Sequence, residues 1–180
     1  MFNTDDFVED LKTYLKSKIV ELDNKFSALE IYDAYTNEHL PQPPEIDIYI
    51  VDEYDDESSN SFTEGENISN IMLNIYCYAD AMYLDSETEK ANAQKTTTYL
   101  AQLVKEALTK NNLHSNNSNV ISVTKRSYTG AMNTRDTKLY VAIFSYDFKV
   151  NNNYVRIDSS NSNSNNENTN TNNTNEENNN

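Results

Sequence analysis

The chain has 180 residues, with 29 acidic against 14 basic side chains, a formal net charge of −15, 13 Tyr and 6 Phe but no Trp, and one cysteine. The length sets a single domain as the expectation, the charge argues against adhesion to nucleic acid through phosphate neutralisation, and one thiol cannot close a disulfide within the chain. There is no apolar run of roughly 18 residues to span a membrane, and the acidic start at residues 1–6 has no apolar signal core, so a cytoplasm-like compartment is expected.

Phe7, Leu11, Leu15, Ile19, Leu22 and Phe26 recur every three or four residues, which predicts an amphipathic helix over 5–26. Asn3 or Thr4 can cap it, and Asp5 and Asp6 fall in its first turn, at the positive end of the dipole. Residues 28–35 have short β character. Three prolines among residues 41–44 then impose an extended connector. Ile46, Ile48 and Ile50 alternate with Asp47 and Tyr49, which predicts a strand over 45–54. An acidic loop over 52–60 leads to a second strand over 68–79. There Ile71, Leu73, Ile75 and Cys77 take one face and Met72, Asn74, Tyr76 and Tyr78 the other. The two strands read as a hairpin with a long acidic tip. Cys77 sits in the apolar stripe as a buried structural thiol.

A second helix is predicted over 86–110, with Ala93, Thr97, Leu100, Val104, Ala107 and Leu108 on its buried side and Ser86 and Glu89 fitting a capping box. A weaker strand over 119–128 carries Val120, Ile121 and Val123, and Gly130 lies in the turn region after it. The strand over 137–150 closes the fold. Leu139, Val141 and Ile143 point one way, and Tyr140, Ala142, Phe144, Tyr146 and Phe148 the other, so both faces ask for cover. From Asn151 the chain holds 15 Asn among Ser, Thr and Glu. Such a stretch lacks the apolar content for a core and is expected to be a solvated, disordered tail, although Asn-rich tracts can also pair between copies.

The expected fold is therefore α+β: an antiparallel or mixed sheet with two helices packed on one face, in the order α-β-β-β-α-β-β, over residues 1–150, with a low-complexity tail at 151–180. A sheet covered on one side keeps the other for water or a partner. The helices are placed over Leu139, Val141 and Ile143. That leaves Tyr140, Phe144, Tyr146 and Phe148 as the surface where one copy meets the next.

Signals for catalysis are weak. Asp52, Glu53, Asp55, Asp56 and Glu57 could hold a hard cation, but the run lacks the glycine and the spaced final glutamate of a calcium loop, and a solvated charge run is the simpler reading. His39 and His114 have no metal-ligand spacing and no nucleophile beside them in sequence. With two glycines, Gly65 and Gly130, a phosphate-cradling loop cannot be built. Lys125, Arg126, Arg135 and Lys138 form the one basic cluster. It is either an ordinary exposed turn or a contact for acid on a neighbouring copy. No enzyme activity, metal or cofactor is expected.

The order of elements, the ending Asn74-Ile75-Tyr76-Cys77-Tyr78-Ala79-Asp80 before a polar helix, the stretch Val120–Gly130 and the late Tyr- and Phe-rich strand together resemble the tail terminator (tail completion) proteins of long-tailed bacteriophages and related tail-like particles. The resemblance spans about residues 4–150. It implies a structural virion protein, assembled in a host cytoplasm. Copies would form a ring, commonly a hexamer, that ends polymerisation of the tail tube and joins it to the head connector, with DNA passing through an acidic lumen without specific binding and no membrane partner. Its partners would be further copies of itself, the tube protein and the connector or neck protein. On this reading Tyr140, Phe144, Tyr146, Phe148, Lys125 and Arg126 belong to protomer or tube contacts, and the acidic loop faces the lumen or a neighbour. The alternatives are a ring in the adjoining neck layer of the same particle and an intracellular protein-binding adaptor domain.

Overall fold

The computed structural model describes residues 4–33, 41–55, 68–79, 87–109, 113, 119–133 and 139–151. Helix α1 (Thr4–Leu22) and helix α2 (Glu87–Ala107) accompany five strands: β1 (Glu30–Asp33), β2 (Glu45–Asp55), β3 (Ile68–Tyr78), β4 (Val120–Asn133) and β5 (Tyr140–Asn151). The strands form one mixed sheet in the order β1-β2-β3-β5-β4. β1 runs parallel to β2, and all other neighbours are antiparallel. This is the expected α+β arrangement. The expected hairpin is the β2–β3 pair, with Ile46 opposite Cys77 and Ile48 opposite Ile75.

The helix stripes behave as their spacing dictates. Phe7, Leu11, Leu15 and Ile19 are buried along α1, joined by Val8 and Tyr14. Its regular part stops at Leu22 rather than Phe26. Asp23 takes an extended conformation and accepts a hydrogen bond from the backbone N–H of Lys25 at 3.0 Å, opening a short 3-10 turn over Asn24–Phe26. That turn still buries Phe26. On α2, Ala93, Thr97, Leu100, Ala101, Val104 and Ala107 are buried. The two helices are tied near the end of α2, where the Tyr14 hydroxyl donates to the carbonyl of Ala107 at 2.8 Å.

The core lies between these helices and one sheet face. β3 supplies Ile71, Leu73, Ile75 and Cys77, as the alternation predicts, and β2 adds Ile46 and Ile48. On β5 the register corrects the expected assignment. Ala142, Phe144, Tyr146 and Phe148 stand opposite Cys77, Ile75, Leu73 and Ile71 and share their face. Phe144, Tyr146 and Phe148 are 2, 3 and 0% exposed, and the Phe148 ring meets Phe7 of α1 edge-on at 5.4 Å. The aromatic set expected to form a partner surface is core, and Tyr140 at the start of the strand is half-buried. The reason lies in the alternate residues. Continuing Leu139, Val141 and Ile143 in steps of two leads to Ser145, Asp147 and Lys149. Placing that side under the helices would bury charge away from water.

β4 departs further. It runs to Asn133 instead of ending near 128, and Gly130 lies inside it. Three register irregularities, between Val120 and Ser122, Lys125 and Ser127, and Thr129 and Met132, break its pairing with β5. The acidic stretch departs in the same sense. Asp52, Glu53 and Asp55 belong to β2 rather than to a loop, while Asp56, Glu57, Gly65, His39, His114, Arg135, Lys138, Ser86 and the tail from residue 152 lie outside the described residues.

Candidate functional site: the helix-free face of the sheet

Since the helices take one face, the candidate site is built on the other. Two neighbouring rows of side chains cross the sheet there. The first runs Tyr54, Asn70, Lys149, Ser122, each opposite the next in the register of β2, β3, β5 and β4. The second runs Asp52, Met72, Asp147, Thr124 on the same four strands. A β-bulge between Ile50 and Asp52 sets the phase of the β2 contribution. The extra residue, Val51, shifts the strand by one position, so that Asp52 and Tyr54 rather than Val51 and Glu53 join this face.

Tyr54, Asn70, Ser122, Thr124, Arg126, Asp147 and Lys149 line a shallow concavity of about 350 Å³. The Arg126 guanidinium forms a charge-assisted hydrogen bond to an Asp147 carboxylate oxygen across the β4–β5 pair. That contact holds Arg126 more firmly protonated than a free guanidinium. Asn70 is buried although it is polar. One strand step away, the Ser145 hydroxyl donates to the side-chain oxygen of Asn74 at 2.6 Å. The concavity thus offers hydroxyl and amide groups, two cations and one carboxylate that is engaged through one of its two oxygens.

The opposite end of the same face is aromatic and acidic. Tyr49 and Tyr76 meet edge-to-face at 4.9 Å. Glu45 and Asp47 are buried beside them, with Glu45 accepting from the backbone N–H of Gln42 at 2.8 Å. Burial, then the nearby Asp47 carboxylate, pushes the Tyr49 and Tyr78 hydroxyls up from the ordinary tyrosine value. These phenols are stable neutral groups at physiological pH, unsuited to proton abstraction.

The sequence-predicted residues fall as follows. Arg126 and its neighbour Lys125 are exposed on β4, and Arg126 reaches the concavity. Asp52 and Glu53 are exposed on β2. Phe144, Tyr146 and Phe148 lie on the far side of the sheet. Cys77 is free and fully buried, and burial pushes its thiol far above the ordinary range, which removes it as a nucleophile. No group of three or more His, Cys, Asp or Glu side chains that could hold a metal occurs among the described residues. No helix among them is long and apolar enough to cross a membrane.

Sequence reasoning missed Tyr54, Asn70, Ser122, Thr124, Asp147 and Lys149. The signal was there: Ser145, Asp147 and Lys149 stand at every second position of the last strand, and Ser122 and Thr124 do the same on the strand before it. No protein-family model and no curated protein matches the chain.

Proposed function

We propose that the chain is a structural virion protein of a long-tailed phage or a related tail-like particle. Copies assemble as a ring at the head-proximal end of the tail tube, stop its growth and join it to the head connector. The observation that carries the reading is the outer strand β4. It is a 14-residue strand at one end of the sheet, with Ile121, Tyr128 and Met132 exposed at 37, 42 and 45%. An edge strand of that length presents backbone donors and acceptors to any chain that can align with it. Among the described residues the opposite edge, β1, is four residues long. The register irregularities of β4 and its Lys125–Arg126 pair guard the edge against indiscriminate pairing, so a partner has to match its shape. A repeating contact between identical copies meets that condition and closes into a ring.

The resemblance in element order supports the same reading, as does the net charge of −15, which lets DNA pass a lumen without adhering to its wall. The concavity on the helix-free face also suits a monomeric adaptor that binds another protein. Size-exclusion chromatography with light scattering, followed by negative-stain imaging, separates the two. A ring of defined mass is expected, and Met132→Glu on the exposed edge lowers its yield. A strict monomer at every concentration overturns the ring.

A further inference from the structure

The two ends of the sheet differ in charge, and the difference is laid out along the direction in which copies would repeat. β1 pairs only with residues 45–48 of β2. Beyond Ile48, β2 is itself the edge of the sheet among the described residues, and this stretch carries the exposed carboxylates Asp52 and Glu53. The sequence continues as Asp55, Asp56 and Glu57. At the other end, β4 and β5 present Lys125, Arg126 and Lys149, the last two in the concavity among hydroxyl and amide groups. In a chain with 29 acidic and 14 basic side chains, three cations gathered at one end of the sheet mark a local reversal of sign.

We infer that the basic end of one copy receives the acidic β2 edge of the next, a head-to-tail contact that deepens the ring reading and rests on it. The occupant's chemistry follows from the donors. Guanidinium, ammonium, hydroxyl and amide groups all satisfy carboxylate oxygens, which are acceptors only. A copy's own Asp52 and Glu53 cannot fill its own groove. They are pinned by the ladder opposite Met72 and Ile71. Neither lines the concavity, and Lys149 lies one strand beyond β3, Lys125 and Arg126 two. Different surfaces meeting in a constant sense generate a closed ring when the rotation per copy divides a full turn.

Two charge-reversed variants test this. One reverses the receiving end through Lys125→Glu and Lys149→Glu, leaving the Arg126–Asp147 pair intact. The other reverses the donating edge through Asp52→Lys and Glu53→Lys. All four residues are exposed, and circular dichroism of each variant checks that the fold is kept. Light scattering should show association of each variant alone weakened about tenfold or more. Mixed in equal amounts the two should recover it, because every junction in an alternating ring then pairs opposite charges. Wild-type association should also weaken as salt rises. If the wild type assembles and both variants assemble equally well alone, the charged contact is wrong and the ring stands. If the wild type is monomeric, ring and contact fall together. If the variants fail alone and stay apart when mixed, the contact between copies is overturned. Binding of a labelled DNA duplex by the wild type, lost in Lys125→Glu/Lys149→Glu, would assign the cations to phosphate and overturn it as well.

Discussion

On β5, Phe144, Tyr146 and Phe148 are sealed beneath the helices, while Ser145 and Asp147 between them are half-buried and Lys149 reaches water. The same alternation runs through β3, where Leu73 and Ile75 oppose the helices and Asn74 and Tyr76 face away. One face is specified by volume and shape, through close-packed contacts such as Phe7 on Phe148. The other is specified by polar pairs such as Arg126 with Asp147 and Ser145 with Asn74. Tyrosine serves on both. Tyr146 is a core residue with its ring among phenylalanines, whereas Tyr49 lies on the polar side, partly covered and still 39% exposed. Aromatic content alone therefore says little about where partners bind; position in the alternation decides.

The largest expected effect comes from the packed face. Phe148→Ala removes a fully buried ring and should cost about 3–5 kcal/mol in chemical denaturation. A loss below about 1 kcal/mol would break the distinction between the faces. Phe144→Asp should lose the folded state by circular dichroism, whereas Tyr49→Asp on the polar face should retain it.

Alkaline titration reads the same contrast. Burial pushes the Tyr146 hydroxyl up to about 12, with Cys77 a lesser cause. A group that holds its proton more tightly folded than unfolded contributes its full stability below its unfolded value near 10. That contribution drains away as pH rises from about 10 through about 12. Tyr146→Phe should flatten that part of the decline in unfolding midpoint, and an unchanged slope would show the hydroxyl to be solvated.

Smaller effects sharpen the edges of the comparison. Tyr14→Phe breaks the hydrogen bond to Ala107 and should cost about 1 kcal/mol. Gly130→Ala should stabilise by about 0.4–1 kcal/mol. No described glycine has positive φ, and an added Cβ would meet only the Tyr128 hydroxyl at 4.0 Å. A loss on that substitution would mean that the β4 edge requires glycine for close approach by a partner.

Helices α1 and α2 and strands β2 and β3 were legible from period alone, because each has one apolar and one polar side. β5 was legible as a strand but not in its facing. Its first half, Leu139 to Phe144, is apolar on both sides, and only its second half breaks the tie. The β3 stripe Ile71, Leu73, Ile75 and Cys77 is plain in the alternation, but which strand lies beside it is a long-range fact absent from local pattern. β4 is longer than its pattern suggests because Gly130 reads as punctuation, although in an exposed edge strand a glycine needs no turn. The concavity was illegible for a related reason. It draws on four strands, and its polar residues carry no motif in sequence and gain meaning only when the register lines them up.

The strand order has a consequence for synthesis. β5, the last of the five to be made, inserts between β3 and β4 and is antiparallel to both. While a nascent chain has emerged only as far as Asn133, β3 lacks one neighbour, β4 has none, and the helices have no aromatic layer to rest on. The domain thus closes only when residues 140–151 leave the ribosome. Release of a chain truncated before Tyr140 would expose an apolar β3 edge, a product suited to aggregation or to chaperone capture.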